Sequence, residues 1–210
     1  MNNKILIISP HMDDEVLACS SFLLDESLNI SIFYVTHSHA FIDEVTLNNE
    51  NEELRDKCYF FKIVDWRLNN FLNKLDTIPQ QELINKFTKA INTACYDTIV
   101  IPNASYNQDH RAVYEAALTA VRPHDTNHFV RKVLLFEEPE SFGTLRHGQR
   151  FYPNYFRPIN IDKKIDLIKT YKSQLRDHRS LDFIRSIAKL RGEQTCVPYA
   201  EAFDILRWVE

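Results

Sequence analysis

The chain has 210 residues, 44% of them hydrophobic and 26% charged, which suits one domain spanning 1–210 with a sizeable core and is short for two. Its formal net charge is -4 and it has no Lys/Arg-rich block, so nucleic acid and anionic membrane surfaces lack an electrostatic footprint; small neutral or mildly charged partners fit better. The three glycines, Gly143, Gly148 and Gly192, all fall in the last third, which excludes a glycine-rich phosphate loop after the first apolar run.

Lys4 to Ser9 is an aliphatic run of the kind buried on both faces of a parallel sheet, and Glu15 to Leu24 then carries apolar residues at helical spacing. Only about five apolar residues precede Pro10, against the ~20 of a membrane span, so no span and a cytoplasmic location are expected. Ile30 to Thr36 predicts a second strand, the acidic stretch Asn48 to Phe61 a helix, and Ile63 to Leu68 a short third strand. Pro79 opens a helix to about Ala94, "DTIVI" (Asp97 to Ile101) is a strand, Asp109 to Val121 is helical, and "RKVLLF" (Arg131 to Phe136) is a strand. This alternation predicts an α/β fold, a Rossmann-like doubly wound, mostly parallel sheet with helices on both faces. The aromatic and proline-rich loop His147 to Pro158 and the helices Asp162 to Leu175 and Leu181 to Leu190 are expected to cover the same sheet. Four cysteines stand far apart without a CxxC pair, the pattern of reduced, mostly buried thiols.

Ligands of such sheets collect beyond the carboxyl ends of the strands, and two polar clusters fall there. His11-Met12-Asp13-Asp14-Glu15 follows the first strand, and Asn107-Gln108-Asp109-His110 follows "DTIVIP". Adjacent aspartates repel unless a cation sits between them or one takes a proton, so a metal ion explains the crowding. Imidazole and carboxylate together suit zinc, with Mn, Fe and Co open from ligand type alone. A catalytic zinc site needs three protein ligands and an open position for water, and His11, Asp14 and His110 meet that count. Asp13 then stands beside the metal as a base for the activated water, and Asp109 can orient a ligand or steady a protonated partner. Glu15 is expected in the first turn of the helix, where the dipole favours it. An Asp-Asp pair at a strand end also serves simply as a helix cap; the combination with His11 and the second Asp-His is what points to metal. His37, with His39 in "THSHA", lies at the same edge as either a pocket residue or a solvated one. Tyr106, Arg146, Tyr152, Tyr155 and Phe156 form either an amphipathic wall for a sugar ring or the closure of the core edge.

"PHMDDE" (Pro10 to Glu15) and "NQDHRAV" (Asn107 to Val113) resemble the LmbE/PIG-L family of zinc-dependent de-N-acetylases, whose hallmarks are a P-H-P-D-D-E loop and a later H-P-D-H loop. Weaker echoes, "FEEPES" (Phe136 to Ser141), "YKSQL" (Tyr171 to Leu175) and "YAEAF" (Tyr199 to Phe203), carry the similarity along nearly the whole chain. The resemblance implies a Rossmann-like fold, Zn2+, and hydrolysis of the N-acetyl group of an amino sugar, nucleotide sugar or sugar conjugate. It also implies His11, Asp14 and His110 as metal ligands and Asp13 as general base. Met12 and Gln108 replace the family's prolines, which changes loop stiffness more than chemistry. Asn107 stands where the family has a histidine that assists the tetrahedral intermediate; asparagine can donate a hydrogen bond to an oxyanion but supplies no proton. Asp13 would then return its proton to the leaving amine. Arg55 and Glu53 lie where the family carries residues that hold the sugar. Two other readings remain at this stage: a two-metal phosphoesterase recruiting Asp109, His37 or His39, and a catalytically degenerate glycan-binding or interaction protein.

Overall fold

Residues 5 to 8 alternate between the two faces of a sheet: Ile5 and Ile7 enter one apolar cluster, Leu6 and Ile8 another. They belong to β1 (Lys4–Ser9), whose residues from Ile5 onward are all buried, and their split defines the architecture. The computed structural model describes residues 4–36, 65–71, 74–123, 128–139, 151–171, 175 and 179–210, the segment 65–71 as backbone. In chain order β1 is followed by α1 (Asp14–Leu23), β2 (Asn29–Thr36), β3 (Asp65–Phe71), a 3-10 turn (Leu75–Thr77) and α2 (Gln80–Ala94). Next come β4 (Thr98–Pro102), α3 (Gln108–Ala120), β5 (Lys132–Phe136), β6 (Tyr155–Pro158), α4 (Ile161–Lys169), α5 (Leu181–Glu193) and β7 (Ala200–Trp208).

Among the described residues these strands form one seven-stranded sheet in the order β3-β2-β1-β4-β5-β7-β6. The first five pair in parallel; β7 runs antiparallel to β5, and β6 antiparallel to β7. Helices α1, α4 and α5 cover the face that holds Ile5, Ile7, Ile32 and Phe203, while α2 and α3 cover the face of Leu6, Ile8, Ile99 and Leu135. This is the doubly wound α/β arrangement expected from the alternation of elements. The chain leaves β1 through α1 toward β2, and β4 is added later on the other side of β1. The gap between β1 and β4 is therefore the switch point at which such sheets bind ligands.

Four expectations are corrected. The tail does not merely cover the sheet: "YFRP" and "AEAFDILRW" extend it as β6 and β7. The helix expected over 162–175 ends at Lys169, because Tyr171 turns into the core, where it is 4% exposed and its hydroxyl donates to Glu15. The third strand continues to Phe71 instead of ending at Leu68, while Ile63 and Val64 lie outside the described residues. The expected helix Asn48 to Phe61 lies outside the described residues. Cys19, Cys95 and Cys196 are free thiols, but only Cys19 of the three is buried, against the expectation of mostly buried cysteines. Among the described residues no helix is long and apolar enough to cross a membrane.

Candidate metal centre

The loop after β1 is pinned at both ends. The Pro10 carbonyl accepts from the Thr36 amide of β2 at 3.0 Å, and the Ser9 hydroxyl lies 2.7 Å from the His11 carbonyl. The His11 amide donates to Asp14 Oδ2 at 2.9 Å, which folds the imidazole back over the start of α1. Met12, 2% exposed, anchors the loop in the core. Glu15 sits in the first turn of α1, as expected, and its carboxylate reaches into the core. It is fully buried, close to Ser9 Oγ (3.1 Å), and accepts from the hydroxyls of Tyr34 and Tyr171, each at 3.1 Å. A buried carboxylate persists only when its oxygens are so occupied, and here it ties β1, β2 and the end of α4 beneath the loop.

The second loop starts α3. Asn107 is its N-cap: the side-chain oxygen accepts from the Asp109 amide at 2.9 Å, leaving the NH2 group as its remaining donor. Asp109 and His110 follow in the first turn and face β1. Asp14 Oδ2 lies 3.3 Å from His11 Nδ1 and 3.3 Å from His110 Nε2, and one ligand atom from each of these three residues falls within 4.8 Å of the others. Ligands around a tetrahedral zinc at bond lengths near 2.0 Å stand about 3.3 Å apart, so both separations fit an ion held between these side chains. The two rings lie 5.3 Å apart between centroids.

The far nitrogen of each ring faces a further carboxylate. His11 Nε2 donates to Asp109 Oδ2 at 3.2 Å, while Asp109 Oδ1 accepts from the Leu75 amide at 2.8 Å. His110 Nδ1, on a ring 1% exposed, has no hydrogen-bond partner, and Glu138 Oε2 stands 3.7 Å away. Carboxylates behind ligating imidazoles fix the ring and raise its basicity.

Burial alone would lower the basicity of His11, but its hydrogen bonds to Asp109 and Asp14 dominate and push its pKa up to about 10. Burial likewise opposes ionisation of Asp14, and the His110 charge with the two imidazole hydrogen bonds overrides it, holding that carboxyl well below its usual range. Asp13 is shifted the other way. Burial, then the Asp14 charge, raise its pKa, against the lowering pull of Arg179. That guanidinium pairs with Asp13 Oδ2 through Nη1. A divalent ion among these residues would require both imidazoles deprotonated.

The structure thus brings together His11, Asp13, Asp14, Asp109 and His110, with Asn107 at the base of α3. Tyr106 follows β4 and is 45% exposed; Tyr152 is exposed, and Tyr155 and Phe156 lie half-buried on β6. His37, His39, Arg146, Arg55 and Glu53 lie outside the described residues. Sequence reasoning missed Arg179 and the roles of Glu138 and the Leu75 amide. Glu138 was visible as an acidic residue just past a strand end; Arg179 sits 166 positions from its partner and carries no spacing signal.

A family model described as "PIG-L: GlcNAc-PI de-N-acetylase" matches residues 6–121. No curated protein matches the sequence. Among solved structures, the N,N'-diacetylchitobiose deacetylase of Pyrococcus horikoshii is 20% identical, with 98% of this chain and 84% of that chain covered and a TM-score of 0.78. The zinc-inhibited form of a teicoplanin deacetylase is 16% identical over 97% of this chain and 98% of that one, TM-score 0.69. A 4-carboxy-2-hydroxymuconate hydratase of Pseudomonas putida KT2440 is also 16% identical, over 99% and 98%, TM-score 0.73. At these identities the likeness is one of fold.

Proposed function

This chain belongs to the PIG-L family, and from that premise we propose that it is a zinc-dependent hydrolase removing the N-acetyl group of an amino sugar, nucleotide sugar or sugar conjugate. The observation that carries the reading is the grouping of His11, Asp14 and His110 around one carboxylate oxygen at two strand tips. When bound, the metal would supply Lewis acidity and lower the pKa of water toward about 7.

The chain's own residues supply the rest. His11, Asp14 and His110 would hold the ion; Asp109 orients the His11 imidazole from behind, and the Glu138 carboxylate stands 3.7 Å behind that of His110. Asp13, between His11 and Asp14 in the chain, does not belong to this group, so its carboxyl is the one left to accept a proton from the attacking water and pass it to the leaving amine. Its raised pKa suits a group that must hold a proton between the two steps. Asn107 can offer only its NH2 to an oxyanion, since its oxygen caps α3. His37, Tyr106 and Arg146 are proposed to contact the sugar.

The family term favours this chemistry over the hydration catalysed by the Pseudomonas relative of the same fold. A two-metal phosphoesterase is disfavoured because, among the described residues, the three ligands form a single cluster. The test is acetate release from a panel of N-acetylated sugars, nucleotide sugars and sugar conjugates by protein loaded in turn with Zn2+, Mn2+ and Co2+. Release from at least one substrate, with one metal per chain, is expected. Metal-loaded protein that frees acetate from none of them overturns the reading.

A further inference from the structure

Asp13 occupies the position before the first turn of α1, where an aspartate normally accepts from a first-turn amide. It makes no such bond, although its backbone carbonyl accepts from the Val16 and Leu17 amides. Its carboxylate points instead to Arg179, immediately before the Ser180 cap of α5. The pair is nearly sealed from water, with side chains 6% and 12% exposed. Asp13 is also absent from the group formed by its own neighbour Asp14 with His11 and His110.

This placement needs an explanation. A divalent ion held by Asp14 attracts any carboxylate one residue away, and a fourth protein donor would close the site in the manner of structural zinc. Neither helix capping nor coordination claims Asp13; a guanidinium does. Arginine suits the task because its planar fork fixes a carboxylate in direction and it does not lose its proton.

We propose that Arg179 is a positioning residue whose guanidinium holds the Asp13 carboxylate off the His11, Asp14 and His110 cluster, so that it stays a free base instead of becoming a fourth ligand. The catalytic consequence rests on the de-N-acetylase reading; the positioning itself does not. Arg179 thus couples the segment before α5 to the loop after β1, and an anchoring pair near the reacting atoms is supplied from the far end of the chain.

Cobalt(II) is the probe, because its visible absorption changes with the identity and the number of its ligands. The full chain is loaded with Co2+ as wild type, Arg179→Gln, Asp13→Asn and the double variant, and spectra and Co2+ affinity are compared. Wild type and Asp13→Asn are expected to share one spectrum. Arg179→Gln should show bands changed in position or intensity, as a carboxylate replaces or joins the solvent ligand, and bind Co2+ about 10-fold more tightly, the size of effect seen when groups around a metal change. The double variant should return to the wild-type spectrum. An Arg179→Gln variant indistinguishable from wild type, or a change that survives loss of the Asp13 carboxylate, overturns the proposal. So does a crystal structure of the Co2+-loaded wild type with Asp13 bonded to the ion, which needs no variant to fold. On any substrate that releases acetate, Arg179→Gln should lower kcat with KM unchanged, and Arg179→Lys should restore part of it. If wild type releases no acetate at all, the functional reading fails while the cobalt comparison still decides the positioning.

Discussion

Asp13 and Asp14 are neighbours in sequence with opposite surroundings. Asp14 meets two imidazoles and is held ionised; Asp13 is raised by burial and by Asp14 itself, with Arg179 as its counter-charge. On the proposed reading, one environment suits a ligand and the other a proton carrier. Asp13→Asn keeps size and shape and removes the base, so turnover on an accepted substrate should fall about 10²- to 10⁴-fold. Elemental analysis should still find one metal per chain; loss of the metal would move Asp13 into the ligand set. Asp109 is the converse case, a carboxylate that touches the candidate ion only through His11. Asp109→Asn retains an oxygen for the Leu75 amide and weakens the bond to the ring, so zinc affinity should drop about 10- to 100-fold in competition with a chromophoric chelator. Unchanged affinity would mean that the His11 ring is fixed by the loop alone.

Helix α1 shows how an element can be broken and repaired. At Cys19 the backbone leaves helical geometry, with φ -127° and ψ 20°, which frees amides that a continuous helix would satisfy. Glu201 on β7 takes them: its carboxylate accepts from the Ser20 amide at 3.0 Å and the Ser21 amide at 2.7 Å. Lys164 on α4 completes the clamp, donating to Glu201 at 2.6 Å and to the Leu17 carbonyl at 2.7 Å. All of this is buried, so Glu201→Ala would strand a lysine charge and two amides. A loss of about 3–5 kcal/mol is expected in equilibrium denaturation, the usual cost of breaking a buried pair on one side; a loss below about 1 kcal/mol, the size of an exposed pair, would show that the clamp carries little. None of this clamp was legible beforehand. β1, β4 and β5 were, because strands buried on both faces read as unbroken aliphatic runs, and so were the two polar clusters at their tips. β7 was not: its first five residues are all buried, including Glu201 and Asp204, so polar and apolar residues mix without a period. β6 hides as four residues in an aromatic and proline-rich stretch. Tyr171, Arg179 and Glu201 act across the fold, and only the packed molecule shows what each one reaches.

The whole molecule joins two loops that the chain separates by nearly a hundred residues, since β1 and β4 lie side by side while His11 and His110 belong to opposite helical layers. α1 packs on one face of the sheet and α3 on the other, so an ion shared by their starting loops would clamp both layers at the switch point. Anything that binds the folded chain alone stabilises it by mass action, about 2.7 kcal/mol when free ligand is 100-fold above its dissociation constant. For a chain of this size each kcal/mol moves the melting temperature by about 2–4 °C, so saturating zinc should raise it by roughly 5–10 °C. Replacing His110 by alanine removes one of the three proposed ligands and opens a cavity at a site 1% exposed. The variant should therefore melt lower than wild type without zinc, and zinc should no longer raise it. The two effects separate packing from coordination: the first survives in chelator, the second does not. A wild-type melting temperature that ignores zinc at such an excess would mean that the 3.3 Å contacts around Asp14 are an ordinary ion-pair network, and the catalytic reading built on them would fall with it.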